Sequence, residues 1–174
     1  MHRYITPHMK SAVEDVVREL GYLTLGSRLK RIGERLQAHT QRILEAHELA
    51  IPAGQFTFLA ALDRLGALTI GELADSVGVT QPAATRAAAQ LAEANLVAIT
   101  TAKDDQRRKS VTLTAEGKKL VAAGKRTAWP LIERAVRDVC HDLEGSILEQ
   151  LAAIEDGLAE QPLERRMAGD RRRR

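Results

Sequence analysis

Apolar residues recur at helical spacing along most of this chain and change to strict alternation in one short stretch. Leu25, Leu29, Ile32, Leu36, His39 and Ile43 step by four, three, four, three and four, an a/d seam that predicts one long helix over residues 21–47. Val13, Val16, Val17 and Leu20 carry the helical pattern upstream, with Gly21 as its weak point. Pro52 opens a further helix bearing Phe56, Leu59, Leu62 and Leu65. Ile70, Leu73, Ala74 and Val77 then mark the inner face of a short helix, and Ala84, Ala88 and Leu91 that of a second over residues 81–93. The period becomes two at Val97 and Ile99, and again at Val111 and Leu113, which predicts strands over 96–101 and 110–113. Helical spacing returns over residues 115–139, where Pro130 removes the backbone bond to Arg126 and predicts a bend beside Trp129. Ile147, Leu151, Ile154 and Leu158 form a second seam near the C-terminal end. The expected fold class is mostly α with one two-stranded hairpin.

Local signals sharpen the middle of this pattern. Thr69 and Glu72 make a T-x-x-E capping box, so a helix should start at Ile70. Gly78 supplies the permissive backbone needed past its end, and the small Ala74 lets a second helix cross closely. Thr80 is a suitable N-cap for that second helix and Pro82 is tolerated in its first turn. The opening turns offer Thr80, Gln81, Thr85 and Arg86, short polar and cationic groups suited to base edges and phosphates. A capped helix pair with a glycine turn also occurs in plain helical bundles, so the hairpin that follows is what favours DNA. Asn95 tolerates the left-handed conformation at a helix end. Between the strands lie Lys103, Asp104, Asp105, Arg107, Arg108 and Lys109, a tip much longer and more charged than the two residues a hairpin needs. Arginine is the side chain best suited to a narrow, negative minor groove. Thr114 with Glu116 should cap the helix after the hairpin.

The order helix-turn-helix, Asn-Leu-Val, strand, Asp-x-Arg, Val-x-Leu-Thr-x-x-Gly resembles the MarR family of bacterial transcriptional regulators. Leu73-Ala74, Gly78-Val79-Thr80-Gln81-Pro82, Leu91, Leu96-Val97, Asp105, Arg107, Val111, Leu113-Thr114 and Gly117 carry the resemblance. The family usually has Gly before the Leu-Val pair, where this chain has Asn95. The resemblance implies a winged helix-turn-helix and a homodimer on a pseudo-palindromic operator in double-stranded DNA, usually as a repressor. It implies that Asp105 orients the wing and that Arg107 enters the minor groove. It assigns residues 52–117 to the DNA-binding lobe and residues 1–51 with 118–162 to a helical dimerisation lobe. It also implies release by a small ligand held between the lobes. In this chain Arg28, Leu29, His39, Phe56 and Phe58 are the candidates to line that pocket, for a small aromatic effector. Read from the residues alone, the two seams at opposite ends of the DNA module also favour a dimer over a monomer that packs them internally.

Charge changes the picture less than the basic balance suggests. The chain carries +3, but residues 165–174 hold six Arg and one Asp, which contribute +5 and leave the remainder at −2. Residues 163–174 therefore read as a disordered Arg-rich tail on a nearly neutral body. The stretch 100–119 is locally positive, with six Lys or Arg against three Asp or Glu, which fits a focused contact with DNA. No nucleophile elbow, phosphate loop or zinc-protease motif occurs, so no enzyme and no cofactor is expected. His39 and His47 lie eight residues apart without Cys or carboxylate at ligand spacing, so no metal site is expected either. The lone Cys140 reads as a small apolar residue. No apolar run approaches the ~18 residues of a membrane span, and the N-terminus has no signal-peptide layout, so a cytoplasmic protein is expected. A winged helix that binds protein and not DNA is the alternative. It would have no need for Thr85, Arg86, Arg107 and Arg108 together.

Overall fold

The computed structural model of the chain describes residues 13–49, 51–101 and 109–168. The chain divides into two compact units, residues 1–129 and 130–174. In the first, α1 (Val16–Glu19) and a 3-10 turn (Gly21–Thr24) precede α2 (Leu25–Ala46). The long helix expected from residue 21 therefore starts at Leu25. Gly21 adopts φ 56, outside the right-handed helical region, and interrupts the helix there. Thr24 Oγ1 donates to Val17 O at 2.7 Å, and the Arg31 guanidinium donates to Asp15 at 2.9 Å, which pins α1 on α2. That bond from Arg31 holds the Asp15 carboxyl below the usual carboxylate range.

The next helix, α3 (Ala53–Leu65), is the hub of this unit. Its first amide donates to Gln41 Oε1 of α2 at 2.7 Å, a partner the helix could not supply itself. Around it stand β1 (Leu68–Thr69), α4 (Ile70–Val77), α5 (Gln81–Glu93), β2 (Val97–Thr101), β3 (Lys109–Leu113) and α6 (Ala115–Arg126). α3 touches α2, α4, α5, α6 and β3. Leu44, Leu59, Leu73, Leu91 and Val111 are the largest fully buried side chains. Each contributes about 1.5–3 kcal/mol by leaving water. The sheet is antiparallel in the order β1-β3-β2, with Leu68 opposite Val111 and Val97 opposite Leu113. The two-residue β1 makes this a three-stranded sheet where two strands were expected, because a pair of residues is too short to show alternation. The fold is mostly helical with a small winged sheet, as the pattern predicts.

The helix expected over residues 115–139 is two helices, α6 and α7 (Ala128–Val139), separated at Thr127. Thr127 leaves the helix at φ −119 and ψ −78 and closes α6 through its N–H and hydroxyl on Ala123 O. Pro130 is the third residue of α7, where a missing N–H costs no intrahelical bond. It therefore starts a helix and does not bend one. Trp129 lies on Gly124, where an added Cβ would stand 2.6 Å from the indole nitrogen, and its ring tilts at 57° against Phe56 with centroids 5.6 Å apart.

The second unit holds the rest of α7, then α8 (Ile147–Glu160) and α9 (Leu163–Ala168). Ser146 caps α8 by accepting from the Glu149 amide at 3.3 Å. The segment expected to be a disordered tail thus begins as a helix. Arg166 Nε donates to Gln161 O at 2.7 Å and its Nη2 to Gly157 O, which ties α9 to the end of α8. Residues 169–174 lie outside the described residues.

Candidate nucleic-acid interface

The helix-turn-helix is built from capping interactions at three successive joints. Thr69 Oγ1 accepts from the Glu72 amide at 3.2 Å, while Glu72 Oε2 accepts from the Thr69 amide at 2.7 Å, so the capping box is complete. At the other end of α4, Gly78 turns left-handed at φ 72 and ψ 37, and the Val79 amide wraps back to Ala74 O at 3.0 Å. Asn95 does the same for α5 at φ 57, with Leu96 N–H on Leu91 O at 2.9 Å, as its tolerance of that conformation predicts. Thr80 occupies the N-cap of α5 but makes no side-chain cap bond. Pro82 sits second in the helix and has no N–H, so the Ala83 amide is the remaining donor such a cap could accept from.

α5 buries Ala84, Ala87, Ala88 and Leu91 against the rest of the unit. Three of these are alanines, which bring the helix backbone close to its neighbours. The opposite stripe, Pro82, Thr85, Arg86 and Ala89, is exposed, and its i, i+3, i+4, i+7 spacing makes it one face. Thr80, Gln81, Thr85 and Arg86 are thus brought together on the exposed opening turns. Their polar groups are used differently. Thr85 Oγ1 donates to Gln81 O at 2.9 Å. The Gln81 amide lies over Gly71 of α4, where an added Cβ would stand 3.2 Å away. Arg86 bonds to none of the described residues and projects into solvent. Gln90, which sequence reasoning passed over, is joined to Gln55 of α3 at 2.7 Å and anchors the flank of α5.

The root of the wing is fixed to the same helix. Thr114 Oγ1 donates to Asn95 O at 2.7 Å and accepts from the Gly117 amide at 3.0 Å. Gly117 lies so close to the backbone that an added Cβ would stand 2.0 Å from Leu96 O. The end of α5, the start of β2 and the start of α6 therefore form one joint. Glu116 takes no part in that cap. It accepts from Lys119 Nζ at 2.8 Å, which holds the ammonium above its ordinary range. The wing strands pair as far as Thr101 with Lys109, whose side chain is exposed. Lys103, Asp105, Arg107 and Arg108 belong to residues 102–108 and lie outside the described residues.

The expected effector residues are dispersed. Phe56 lines a crevice of about 10 Å³ with Leu44, Leu59, Val121 and Trp129, room for about one water. Phe58 is buried elsewhere on α3, since side chains two apart on a helix diverge by about 200°. Arg28, Leu29 and His39 lie on α2 away from the walls of this crevice, with Leu29 and His39 exposed. Among the described residues no three His, Cys, Asp or Glu side chains gather as a metal site, and no helix is long and apolar enough to cross a membrane.

Comparison with known proteins agrees with this geometry. The MarR family model matches residues 51–109. No curated protein matches the sequence. Among solved structures, the chain is similar to a MarR family transcriptional regulator from Silicibacter pomeroyi, at 25% identity and TM-score 0.57, over 80% of this chain and 90% of that one. It is similar in fold to Sco3205, a MarR family transcriptional regulator from Streptomyces coelicolor solved in complex with DNA, at 23% identity and TM-score 0.64, over 88% and 94%. It is also similar in fold to Bordetella bronchiseptica BpsR, whose DNA binding is regulated by 6-hydroxynicotinic acid, at 23% identity and TM-score 0.55, over 75% and 93%. The helix-turn-helix and the first wing strand thus lie within the residues that match the MarR family model.

Proposed function

We propose that this chain is a sequence-specific DNA-binding transcriptional regulator that acts as a homodimeric repressor on a pseudo-palindromic operator. The observation that carries the reading is the outer face of α5. Arg86 stands on it without a partner among the described residues, on a helix locked to α3, α4 and the wing root. A cation so placed serves a polyanion in the groove where such a helix docks. A protein of similar fold, Sco3205, is solved in complex with DNA, which supports the reading. Arg107, oriented by Asp105, would reach the minor groove beside it.

The homodimer is supported by apolar side chains that the described residues leave uncovered. On α2, Leu29, Ile32 and Leu36 are 37%, 44% and 38% exposed, and on α8 Ile154 and Leu158 are 40% and 45% exposed. Residues 1–51 and 118–162 would supply the contacts between protomers. Two recognition helices would then meet DNA about one turn, ~34 Å, apart. Release by a small aromatic molecule would be the mode of control; regulation of BpsR DNA binding by 6-hydroxynicotinic acid supports a ligand of that kind. Such a molecule would have to widen the crevice beside Phe56 and Trp129.

The test is binding of the purified chain to duplex DNA over a range of salt. Affinity should fall steeply as salt rises, and light scattering should give about twice the 19.1 kDa chain mass. A single-chain mass with no salt-dependent binding would favour the protein-binding alternative.

A further inference from the structure

The exposed face of α5 has more methyl groups on it than polar ones. Thr85 has turned its hydroxyl back to Gln81 O, so what it offers outward is its γ-methyl. Ala89 offers a methyl one turn further on, and Pro82 an apolar ring at the start of the stripe. The Gln81 amide is laid over Gly71, and the Gln90 amide is committed to Gln55. Gln90 is thereby not free to read adenine as a bidentate partner. Arg86 is left as the one cation on that stripe.

Resting on the reading of α5 as a recognition helix, we infer that Thr85 and Ala89 determine specificity by contacting thymine C5-methyl groups on either side of a base read by Arg86. The chemistry is complementary. Thymine alone presents a methyl in the major groove, and apolar contact from Ala or a Thr methyl is how proteins read it. Arginine in the same groove pairs with the O6 and N7 of guanine. The spacing agrees as well. Thr85 and Ala89 are four residues apart, about 6 Å along the helix, close to two base steps of ~3.4 Å each. The preferred half-site therefore places two thymines about two steps apart around a guanine, on either strand. Hydroxyl and amide contacts from α5 are left to phosphate, where Thr80 at the helix start has its hydroxyl free of any cap bond.

The experiment uses the full chain. Preferred duplexes are selected from a random-sequence pool, then resynthesised with deoxyuridine replacing one thymidine at a time, which removes only the C5-methyl. Two thymines in each half-site should each lose about fourfold in affinity, the worth of one buried methyl group, while the flanking thymines should be silent. The penalty at one of them should vanish in Thr85→Ser, which keeps the hydroxyl and drops the methyl, and persist in Thr85→Val, which does the reverse. Selected duplexes indifferent to every uracil would overturn methyl readout and leave DNA binding standing. Penalties unchanged at every thymine in Thr85→Ser would take the contact away from that residue. A pool that yields no preferred duplex would overturn both this inference and the function it rests on.

Discussion

Leu91 on α5 and Ile32 on α2 occupy the same kind of position, the middle of an apolar stripe on an amphipathic helix, yet Leu91 is 0% exposed and Ile32 is 44% exposed. The difference lies in what each helix meets. α5 is enclosed by α3, α4 and β2, and its alanines allow close approach. α2 meets α3 near its C-terminal end, where Leu44 is buried, and its earlier turns carry their seam uncovered. A stripe of apolar residues declares which face must be covered. It does not declare whether the cover comes from the same chain. In the helix-turn-helix the chain covers itself, and along α2 the proposed cover is a second copy.

The largest effect should separate these two stripes. Leu91→Ala leaves a cavity in a filled core and should cost about 2–5 kcal/mol in urea denaturation. Ile32→Asp should instead leave the α3–α6 core folded and reduce the light-scattering mass to one chain, because a charge would then face the partner helix. A dimeric Ile32→Asp protein would place the interface elsewhere.

A smaller effect belongs to the joint between α5 and the wing. Gly117→Ala drives a Cβ into the Leu96 carbonyl, and backbone yields less readily than a side-chain tip. We expect a loss of about 1–3 kcal/mol in stability, with DNA affinity falling as the wing root shifts. Unchanged stability would mean that the joint is softer than its close approach indicates.

The joints were partly legible from sequence. The capping box at Thr69 and Glu72, the turn at Gly78 and the left-handed Asn95 are each encoded by one or two residues whose backbone preferences are strong, and the structure has all three. Thr80 and Glu116 were also expected in caps. Thr80 makes no side-chain cap bond, and Glu116 is taken by Lys119. The second outcome turns on competition among neighbours, which a residue's own preference does not report. At Pro130 the pattern alone does not tell one bent helix from two, and Thr127 decides between them. β1 and the contact of Gly117 with Leu96 join residues far apart in sequence, so no local pattern announces them. On α5 the sequence identifies the face, but not that Thr85 turns its hydroxyl back, since that depends on the backbone one turn earlier.

The smallest prediction concerns the end of α2. Glu48 adopts φ 56 at the position where α4 has Gly78 and α5 has Asn95, and the Leu49 amide wraps back to Leu44 O at 3.0 Å. A side chain with a Cβ costs about 1–2 kcal/mol in that conformation. Glu48→Gly should therefore raise stability by about 1 kcal/mol, offset in part by the greater freedom of glycine in the unfolded chain. No gain in thermal denaturation would show that Glu48 has compensating contacts.

If the outer face of α5 reads DNA, Arg86 is the side chain whose loss must show it. The decisive experiment is titration of a selected duplex with wild type and Arg86→Ala at one salt concentration. Arg86 bonds to none of the described residues, so its loss should leave circular dichroism and melting temperature unchanged while affinity falls by about 1–3 kcal/mol. It should also relax discrimination at one base pair in each half-site. Equal affinity and equal base preference in the two proteins would contradict the assignment of α5 as the recognition helix.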